Sequence, residues 1–227
     1  MRWGLGPPRD IPEVRKYFIE SLAQESFVRD KTGCRMVELV GASFLADEFA
    51  IFGTPNRDYI DREMAWYLTQ SLNINDIPGE PPAMWKAVAS PEGQINSNYG
   101  WVVLSEANWY QYRNVLEELK KNPVSRRAVM IYQRPSMWRD YKLNGMNDFM
   151  CTNAHQYFLR RDDTGDMRLS VVVQMRSNDV VFGYKNDYAW AKHVQYMLAR
   201  DLGVHVGYMT WQVGSLHVYE RHFHLVK

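Results

Sequence analysis

An apolar stripe at helical spacing is the first clear pattern along the chain. It consists of Val14, Tyr17, Phe18 and Leu22. Residues three and four positions apart lie on one side of an α-helix, so this run predicts an amphipathic helix. Asp10 is a favourable N-cap residue in front of the run, and Pro12 is tolerated in the first turn. We therefore expect a helix that begins just after Asp10.

Shorter patterns follow in the first half of the chain. An apolar face predicts a helix over 57–69, and a second helix is expected from Ser105, as its N-cap, to the stop at Asn122-Pro123. Brief apolar runs predict short strands at 36–40, 101–104 and 128–132. Helices and strands are therefore both expected here, without a regular alternation.

The second half of the chain is richer in strand patterns. The predicted elements are strands at 149–159, 169–175 and 206–219 and a helix at 188–200. The polar turn at 162–166 joins the first two strands and is typical of a β-hairpin. Because the elements do not alternate as regular βαβ units, they indicate an α+β fold, with helices packed on a large mixed or antiparallel sheet. No repeat or linker interrupts the chain, so one domain over 1–227 is expected.

The composition narrows the classes of function. Apolar residues make up 46% and charged residues 23% of the chain, as in an ordinary globular protein. A net charge of +1 argues against a nonspecific nucleic-acid binder, although a single nucleotide needs only a few basic residues. The sequence begins with no secretory signal and contains no apolar stretch long enough to span a bilayer. A cytoplasmic protein is expected.

The two cysteines, Cys34 and Cys151, are the candidate reactive thiols. Neither lies in a C-x-x-C motif or beside a histidine-rich segment, so no zinc or other metal site is expected. A structural disulfide does not suit a reducing cytoplasm. Considered one at a time, each cysteine is better interpreted as a small buried hydrophobic residue than as a nucleophile.

Two arginine-containing pairs are candidates for anion binding, Arg176-Ser177 and Arg126-Arg127. A guanidinium group can hold a phosphate through two parallel hydrogen bonds, and a serine hydroxyl adds another donor. The alternative is that these arginines are solvated near strand ends, as single arginines commonly are.

Other polar residues are equally open to two interpretations. Asp187 precedes the predicted helix at 188–200, so the local pattern favours a helix N-cap. His217 and Tyr219 are two apart in a predicted strand and share one face, which suits sugar hydroxyls or an ordinary half-exposed strand. Glu63 is by default a solvated charge on the 57–69 helix.

Ordered segments from about Arg29 to the C-terminus together resemble the thymidylate synthase family, and most strongly its members that act on dCMP. The segments are Arg29-Asp30-Lys31-Thr32-Gly33, Glu63 with Trp66, Trp85, Asn98-Tyr99-Gly100, Ser125-Arg126-Arg127, Cys151 with Gln156, the 176–187 segment, and Gly214 with His217 and Tyr219. The resemblance implies a folate-dependent enzyme that adds a one-carbon unit to carbon 5 of a pyrimidine nucleotide.

The resemblance implies a catalytic role for Cys151, which matches the nucleophile that attacks carbon 6 of the base. Nearby arginines are expected to favour its thiolate. Carbon 5 then attacks the methylene group of 5,10-methylenetetrahydrofolate. Glu63 and Tyr99 match residues that manage protons and ordered water. Asp179 matches a further residue of the catalytic site.

The resemblance also implies how the nucleotide phosphate is bound. Lys31, Arg176 and Ser177 match its ligands within one chain. Arg126 and Arg127 match a pair that reaches into the neighbouring subunit's site. A homodimer, with one face of the sheet at the dimer interface, is therefore expected.

The same resemblance assigns the sugar and folate contacts. His217 and Tyr219 match residues that bind the sugar hydroxyls. Trp85, Asp179 and Gly183 match positions that line the folate site.

The chain departs from the synthases at several positions, and Asp187 bears on the choice of base. The synthases have Asn there, which donates to uracil and accepts from its ring N–H; a carboxylate accepts from the cytosine amine and from a protonated ring nitrogen. Thr152, Met175 and Val88 stand where the synthases have His, Gln and a second Trp. Val88 and the early end of the chain suggest a less sealed folate site, and hence quenching by water.

The expected reaction is hydroxymethylation of dCMP. The alternatives are a C5-methylase that acts on dCMP or dUMP, and a catalytically silent nucleotide-binding homologue.

Overall fold

The computed structural model describes residues 9–227. Its helices are α1 (Ile11–Ala23), α2 (Arg57–Thr69), α3 (Ala83–Val88), α4 (Tyr99–Leu104), α5 (Gln111–Lys121), α6 (Met137–Asp140) and α7 (Gly183–Leu202). Its strands are β1 (Val28–Arg29), β2 (Arg35–Leu45), β3 (Val129–Ile131), β4 (Thr152–Arg161), β5 (Met167–Asp179) and β6 (His205–Tyr219). Short 3-10 helices lie at Ile74–Asp76, Glu106–Asn108, Leu143–Gly145 and Glu220–Leu225.

The strands form one six-stranded sheet in the order β1-β2-β6-β5-β4-β3. Strands β5 and β6 pair in parallel, and the other neighbours pair antiparallel. Helices α1 and α7 pack against the central strands. The structure is therefore α+β with a mixed sheet, which confirms the predicted fold class.

The other face of the sheet carries a row of polar and small side chains. Cross-strand pairing aligns Ser43, Gln212, Gln174 and Ala154 across β2, β6, β5 and β4. All four are exposed or half-buried, whereas the residues before and after each of them along its own strand are mostly buried. No helix of residues 9–227 covers this row.

Several predicted elements are confirmed. Helix α1 begins after Asp10, whose side chain accepts a hydrogen bond from the Glu13 amide. Helix α2 has the predicted bounds. The predicted hairpin is formed by β4 and β5.

The strand predicted at 101–104 is wrong, because these residues belong to α4. The Asn98 side chain accepts from the Trp101 amide and starts the helix. A Cβ atom on Gly100 would lie 1.7 Å from the Tyr67 carbonyl oxygen, so α4 packs directly on the backbone of α2. Four apolar residues are too few to show a helical period, and this packing decides their structure.

The prediction that Ser105 caps a long helix is also wrong. Its side chain forms no capping hydrogen bond; a 3-10 turn follows it instead. Trp109 and Tyr110 then have φ angles of 62° and 48°, which interrupt the helix, and α5 begins at Gln111. The predicted end before Asn122-Pro123 is confirmed.

Candidate active site

Cys151 lies directly before β4, and Arg176 lies opposite it on β5. The Arg176 backbone N–H donates to the Cys151 carbonyl at 2.9 Å. The Arg176 guanidinium donates to the carbonyls of Met150 at 2.8 Å and Phe149 at 2.6 Å. One guanidinium nitrogen, Nη2, is 3.5 Å from the Cys151 Sγ atom. Arg176 therefore fixes the loop that carries the thiol and places a positive charge beside it.

The surroundings of Cys151 favour the neutral thiol in the substrate-free protein. Burial raises its pKa to about 11, and the negative charges of Asp187 and Asp148 act in the same direction. Arg176 lowers the pKa but does not outweigh burial. Arg176 therefore favours the thiolate, as expected, while burial raises the Cys151 pKa by more.

Tyr99 lies at the first position of α4, and its side chain reaches the start of β4, next to Cys151. The Thr152 hydroxyl donates to the Tyr99 hydroxyl at 2.9 Å. The Tyr99 ring stacks on Tyr67 with ring centroids 5.4 Å apart. Burial raises the Tyr99 pKa well above its ordinary value, so the phenol stays protonated and can donate a hydrogen bond. Thr152 therefore positions a proton-bearing group next to Cys151.

Glu63 is a buried carboxyl on α2, and its expected default as a solvated charge is wrong. Its side chain accepts hydrogen bonds from the Tyr59 hydroxyl and, at 3.1 Å, from the Trp85 indole Nε1. The same indole N–H is 3.0 Å from the Tyr59 hydroxyl. Burial raises the Glu63 pKa, although both donors lower it. Glu63 is thus a carboxyl that can hold a proton and whose orientation is fixed.

Asp187 is a residue of α7 rather than its N-cap, so the interpretation from the local pattern is wrong. Helix α7 begins at Gly183, five residues before the predicted start. The Asp187 Oδ2 atom accepts a hydrogen bond of 2.7 Å from the Asn178 amide, whose oxygen accepts one of 3.2 Å from the Trp211 indole. Burial and the charge of Glu63 raise the Asp187 pKa to about 7. Asp187 therefore exchanges a proton near neutral pH.

Cys151, Tyr99, Glu63 and Asp187 are close enough for the charge of one to change the pKa of another. Asp187 contributes to the raised pKa of Cys151 and of Tyr99. Glu63 contributes to the raised pKa of Asp187. A thiol from the residue before β4, a phenol from α4 and two carboxyls from α2 and α7 therefore converge, as general acid–base and nucleophilic chemistry requires.

His217 and Tyr219 share a face of β6, as predicted. Their rings lie 4.9 Å apart in an edge-to-face arrangement. The neighbouring Asp179, at the end of β5, accepts from the backbone amides of Val181 at 2.8 Å and Phe182 at 2.7 Å. Its carboxylate thus fixes the turn into α7.

Two of the residues predicted to bind the phosphate within one chain, Ser177 and Lys31, lie at the edges of the site formed around Cys151. Ser177 is half-buried on β5 beside Arg176. Lys31 is exposed in the β1–β2 turn. Burial is the largest cause that raises the Tyr219 pKa, and the charge of Asp30 in that turn is the next, so the turn lies near the face of β6 that carries His217 and Tyr219.

Arg126 and Arg127 are not brought to Cys151 of the same chain. Both are exposed in the loop before β3, and Arg127 forms an ion pair of 3.1 Å with Glu118. The Arg126 carbonyl accepts from the Gln156 side chain, five residues from Cys151 along the chain. At about 3.3 Å per strand residue, this separation is roughly 16 Å.

Three residues of the site were not predicted from sequence: Tyr59, Asn178 and Trp211. Tyr59 lies one helical turn before Glu63, a spacing that predicts contact once Glu63 is known to be buried. Asn178 and Trp211 are 33 residues apart, and no local pattern relates them.

Two further properties concern residues 9–227 as a whole. Within this range, no group of three or more His, Cys, Asp or Glu side chains is arranged to hold a metal ion. In the same range, no helix combines the length and the apolar character needed to cross a membrane.

Comparison with known proteins gives a consistent result. The family model described as Thymidylate synthase matches residues 22–227. The deoxycytidylate 5-hydroxymethyltransferases of Enterobacteria phages T4 and T2 are each 52% identical over 223 residues, which is 95% of this chain and 89% of each relative. The thymidylate synthase of Corynebacterium aurimucosum is 27% identical over 208 residues, 87% of this chain and 74% of that enzyme. With the fold and site described above, the match over residues 22–227 shows that this chain belongs to the thymidylate synthase family.

Proposed function

We propose that the protein transfers a one-carbon unit from 5,10-methylenetetrahydrofolate to carbon 5 of dCMP and yields 5-hydroxymethyl-dCMP. The observation that carries this proposal is the carboxyl group of Asp187, partly buried at the end of the site that holds Cys151 and Glu63. Relatives that are 52% identical and named for this activity on deoxycytidylate support it.

The first step is addition of Cys151 to the base. Its Sγ atom bonds to carbon 6, and the electron pair of the 5,6 double bond moves to carbon 5. Because burial favours the neutral thiol in the substrate-free protein, the thiol must release its proton to water as it adds to the base. Arg176, at 3.5 Å, stabilises the thiolate once it forms.

Asp187 assists this step from the opposite side of the base. With a pKa of about 7, it can present a proton to the cytosine ring nitrogen while its other oxygen accepts from the exocyclic amine. Protonation of the ring nitrogen draws electrons from carbon 6, which favours attack by the thiolate. Uracil has a carbonyl in place of the amine, so it is less complementary to this arrangement.

In the second stage carbon 5 bonds to the one-carbon unit, its own hydrogen leaves as a proton, and tetrahydrofolate departs as the leaving group, so that an exocyclic methylene group remains on carbon 5. 5,10-Methylenetetrahydrofolate supplies that unit when bound. We assign binding of this cosubstrate to the region of Trp85, Asp179 and Gly183. The exposed ring of Phe182 beside Asp179 offers it a flat apolar surface, which fits a planar heterocycle.

The last stage is addition of water. The water oxygen bonds to the exocyclic methylene carbon, the electron pair restores the 5,6 double bond, and Cys151 leaves as the thiolate. Glu63 is suited to accept the water proton, because Tyr59 and Trp85 fix its orientation and its raised pKa strengthens it as a base. Hydride transfer instead of water addition would give a methylated base, the activity for which the 27% identical relative is named.

We propose that two copies form the working enzyme through the helix-free face of the sheet. The row from Ser43 to Ala154 is exposed or half-buried there, and Arg176 projects from β5 near its end. Arg126 lies beside Gln156, roughly 16 Å along β4 from Cys151 of its own chain, and this separation supports a role for Arg126 and Arg127 in the partner's site. We place this reaction in the cytoplasm, which is the host's cytoplasm if the chain is phage-encoded as its relatives from phages T4 and T2 are.

The deciding experiment is turnover of dCMP and of dUMP with 5,10-methylenetetrahydrofolate, with products identified by mass. The proposal expects 5-hydroxymethyl-dCMP with tetrahydrofolate. A methylated nucleotide together with dihydrofolate would show that the enzyme is a methylase. Cys34→Ala is the matched control for Cys151→Ala, because Cys34 lies in the β1–β2 turn and should leave turnover intact.

A further inference from the structure

Asn178 is buried between the core and the part of the site formed by Asp187 and Glu63, which we call the base end. The Asn178 amide has one fixed orientation. The Trp211 indole nitrogen is a donor only, so the group that faces it at 3.2 Å must be the Asn178 oxygen. The amide nitrogen then points the other way and donates to Asp187 Oδ2 at 2.7 Å. Trp211, which is fully buried, thus determines that Asp187 Oδ2 faces a donor.

Gly183, which has no side chain, leaves space for the hydrogen bond between Asn178 and Asp187. A Cβ atom there would lie 3.1 Å from the Asn178 amide nitrogen and 3.8 Å from Asp187 Oδ2. Any other residue would therefore press on the hydrogen bond between the two side chains. The first turn of α7 is built around this bond.

We propose that Asn178 is a specificity-determining positioning residue, which keeps Asp187 Oδ2 as a hydrogen-bond acceptor toward the exocyclic group of the base. This inference rests on the proposed function. A proton on Oδ2 would face the Asn178 amide, where two donors oppose each other, so the Asp187 proton is carried on Oδ1. Oδ2 accepts from the cytosine amine, and Oδ1 donates to the ring nitrogen.

The same arrangement disfavours uracil. The uracil carbonyl would face Oδ2, and two acceptors would oppose each other unless Oδ2 carried the proton. Asn178 opposes that protonation. Loss of the Asn178 amide allows the proton to move to Oδ2, and the carboxyl then matches uracil as well as cytosine. Asn178 therefore acts on the choice of base without contacting it.

The test compares the KM for dCMP with the inhibition constant of dUMP against dCMP turnover. Asn178→Ala should reduce the preference for dCMP by about tenfold, the effect of one opposed polar pair. Trp211→Phe removes the donor that orients Asn178, and should change the preference in the same direction by about threefold. The Trp211→Phe variant also keeps the inference testable if Asn178→Ala fails to fold.

Trp190→Phe is the matched control. Trp190 is fully buried like Trp211, and its indole donates to the Tyr132 hydroxyl at 2.8 Å, outside the Asn178 contact. It should lower thermal stability while leaving the preference unchanged. If Asn178→Ala and Trp211→Phe weaken both nucleotides equally, Asn178 has only a structural role and the inference is wrong.

A double variant sharpens the test. In Asp187→Asn alone, the new amide must turn its oxygen toward Asn178, so it cannot adopt the orientation that suits uracil. Asp187→Asn combined with Asn178→Ala should bind dUMP more tightly than either single variant. Failure of the proposed function is distinct: wild-type enzyme would then methylate dUMP and ignore dCMP, whatever the Asn178 variants do.

Discussion

The two ends of the candidate site are built on opposite principles. At the phosphate end, Lys31, Arg126 and Arg127 are exposed cations on turns and loops. At the base end, Glu63 and Asp187 are shielded carboxyls. The Trp85 indole donates directly to Glu63, and the Trp211 indole orients the Asn178 amide that donates to Asp187. Exposed charges act through solvent and tolerate small displacements, whereas a shielded carboxyl changes its protonation with each neighbour. Substitutions at the phosphate end should therefore change affinity, and those at the base end should change the reaction.

The largest effect is expected from the nucleophile, between the two ends. Cys151→Ala should reduce turnover by about 10⁴-fold or more, because no covalent bond to carbon 6 can form. Binding of dCMP, measured by calorimetry, should change little. Activity near that of wild type would show that the covalent mechanism is wrong.

The second effect concerns the base end. Asp187→Asn should lower kcat with dCMP by about a hundredfold, because an amide cannot transfer a proton to the ring nitrogen. The preference for dCMP over dUMP, expressed as a ratio of kcat/KM values, should fall. A purely structural Asp187 would leave this ratio unchanged, which steady-state kinetics on both nucleotides can establish.

The third prediction tests whether the phosphate end is shared between subunits. Arg126→Ala and Cys151→Ala should each be poorly active alone. After mixing and exchange in equal amounts, about a quarter of the sites should combine an intact Cys151 with an intact Arg126 from the other chain. Activity should rise to roughly that fraction. A mixture without recovery, or an active monomer by analytical ultracentrifugation, contradicts the assignment.

The fourth prediction concerns stability against pH. The folded Asp187 pKa of about 7 lies above its ordinary value of 3.8. Below about pH 4 the carboxyl is protonated in both states; as the pH rises toward 7 the unfolded chain releases the proton first, and the folded state loses stability. Substrate-free Asp187→Asn should therefore be up to about 4 kcal/mol more stable than wild type at pH 8.

That advantage should disappear near pH 3, where Asp187 is largely neutral in both the folded and the unfolded state. Thermal unfolding of the two proteins at both pH values measures it. The difference between the proteins reports on Asp187 within its own surroundings, which include Glu63, Tyr99 and Cys151. An advantage independent of pH would show that burial does not raise this pKa.

The smallest effect is expected at Lys31. Lys31→Ala should raise the KM for dCMP about threefold, with kcat unchanged, since an exposed ion pair contributes little. Added salt should weaken wild type more than the variant, because it screens this contact. A large loss of kcat would place Lys31 in the chemistry rather than in phosphate binding.

The fold could be predicted from sequence where the pattern is long enough to show its period. Helices α1 and α2 and the β4–β5 hairpin were predicted from spacing, caps and a polar turn. The run at 101–104 is too short for a period, and its packing on the Tyr67 backbone makes it helical. The start of α7 was misplaced because residues 183–187 are mostly polar, and polar residues carry no apolar stripe.

The candidate site could be predicted mainly through family resemblance. Local patterns favoured a helix cap for Asp187, a solvated charge for Glu63 and a buried hydrophobic role for Cys151. Each interpretation ignores the tertiary contacts that give these groups their surroundings. The hydrogen bonds from Trp211 through Asn178 to Asp187 join β6, β5 and α7, and only the folded sheet brings them together.

The position of β6 has a consequence for how the chain acquires its structure. Among the strands of the described residues it is the last to be synthesised, yet it lies between β2 and β5 in the middle of the sheet. Until it inserts, the β1–β2 unit and the β3–β4–β5 unit share no strand pairing. Such long-range pairing is slow compared with local folding. Trp211, His217 and Tyr219 arrive on the same strand, so the nascent enzyme should become competent to bind nucleotide in the step that closes its sheet.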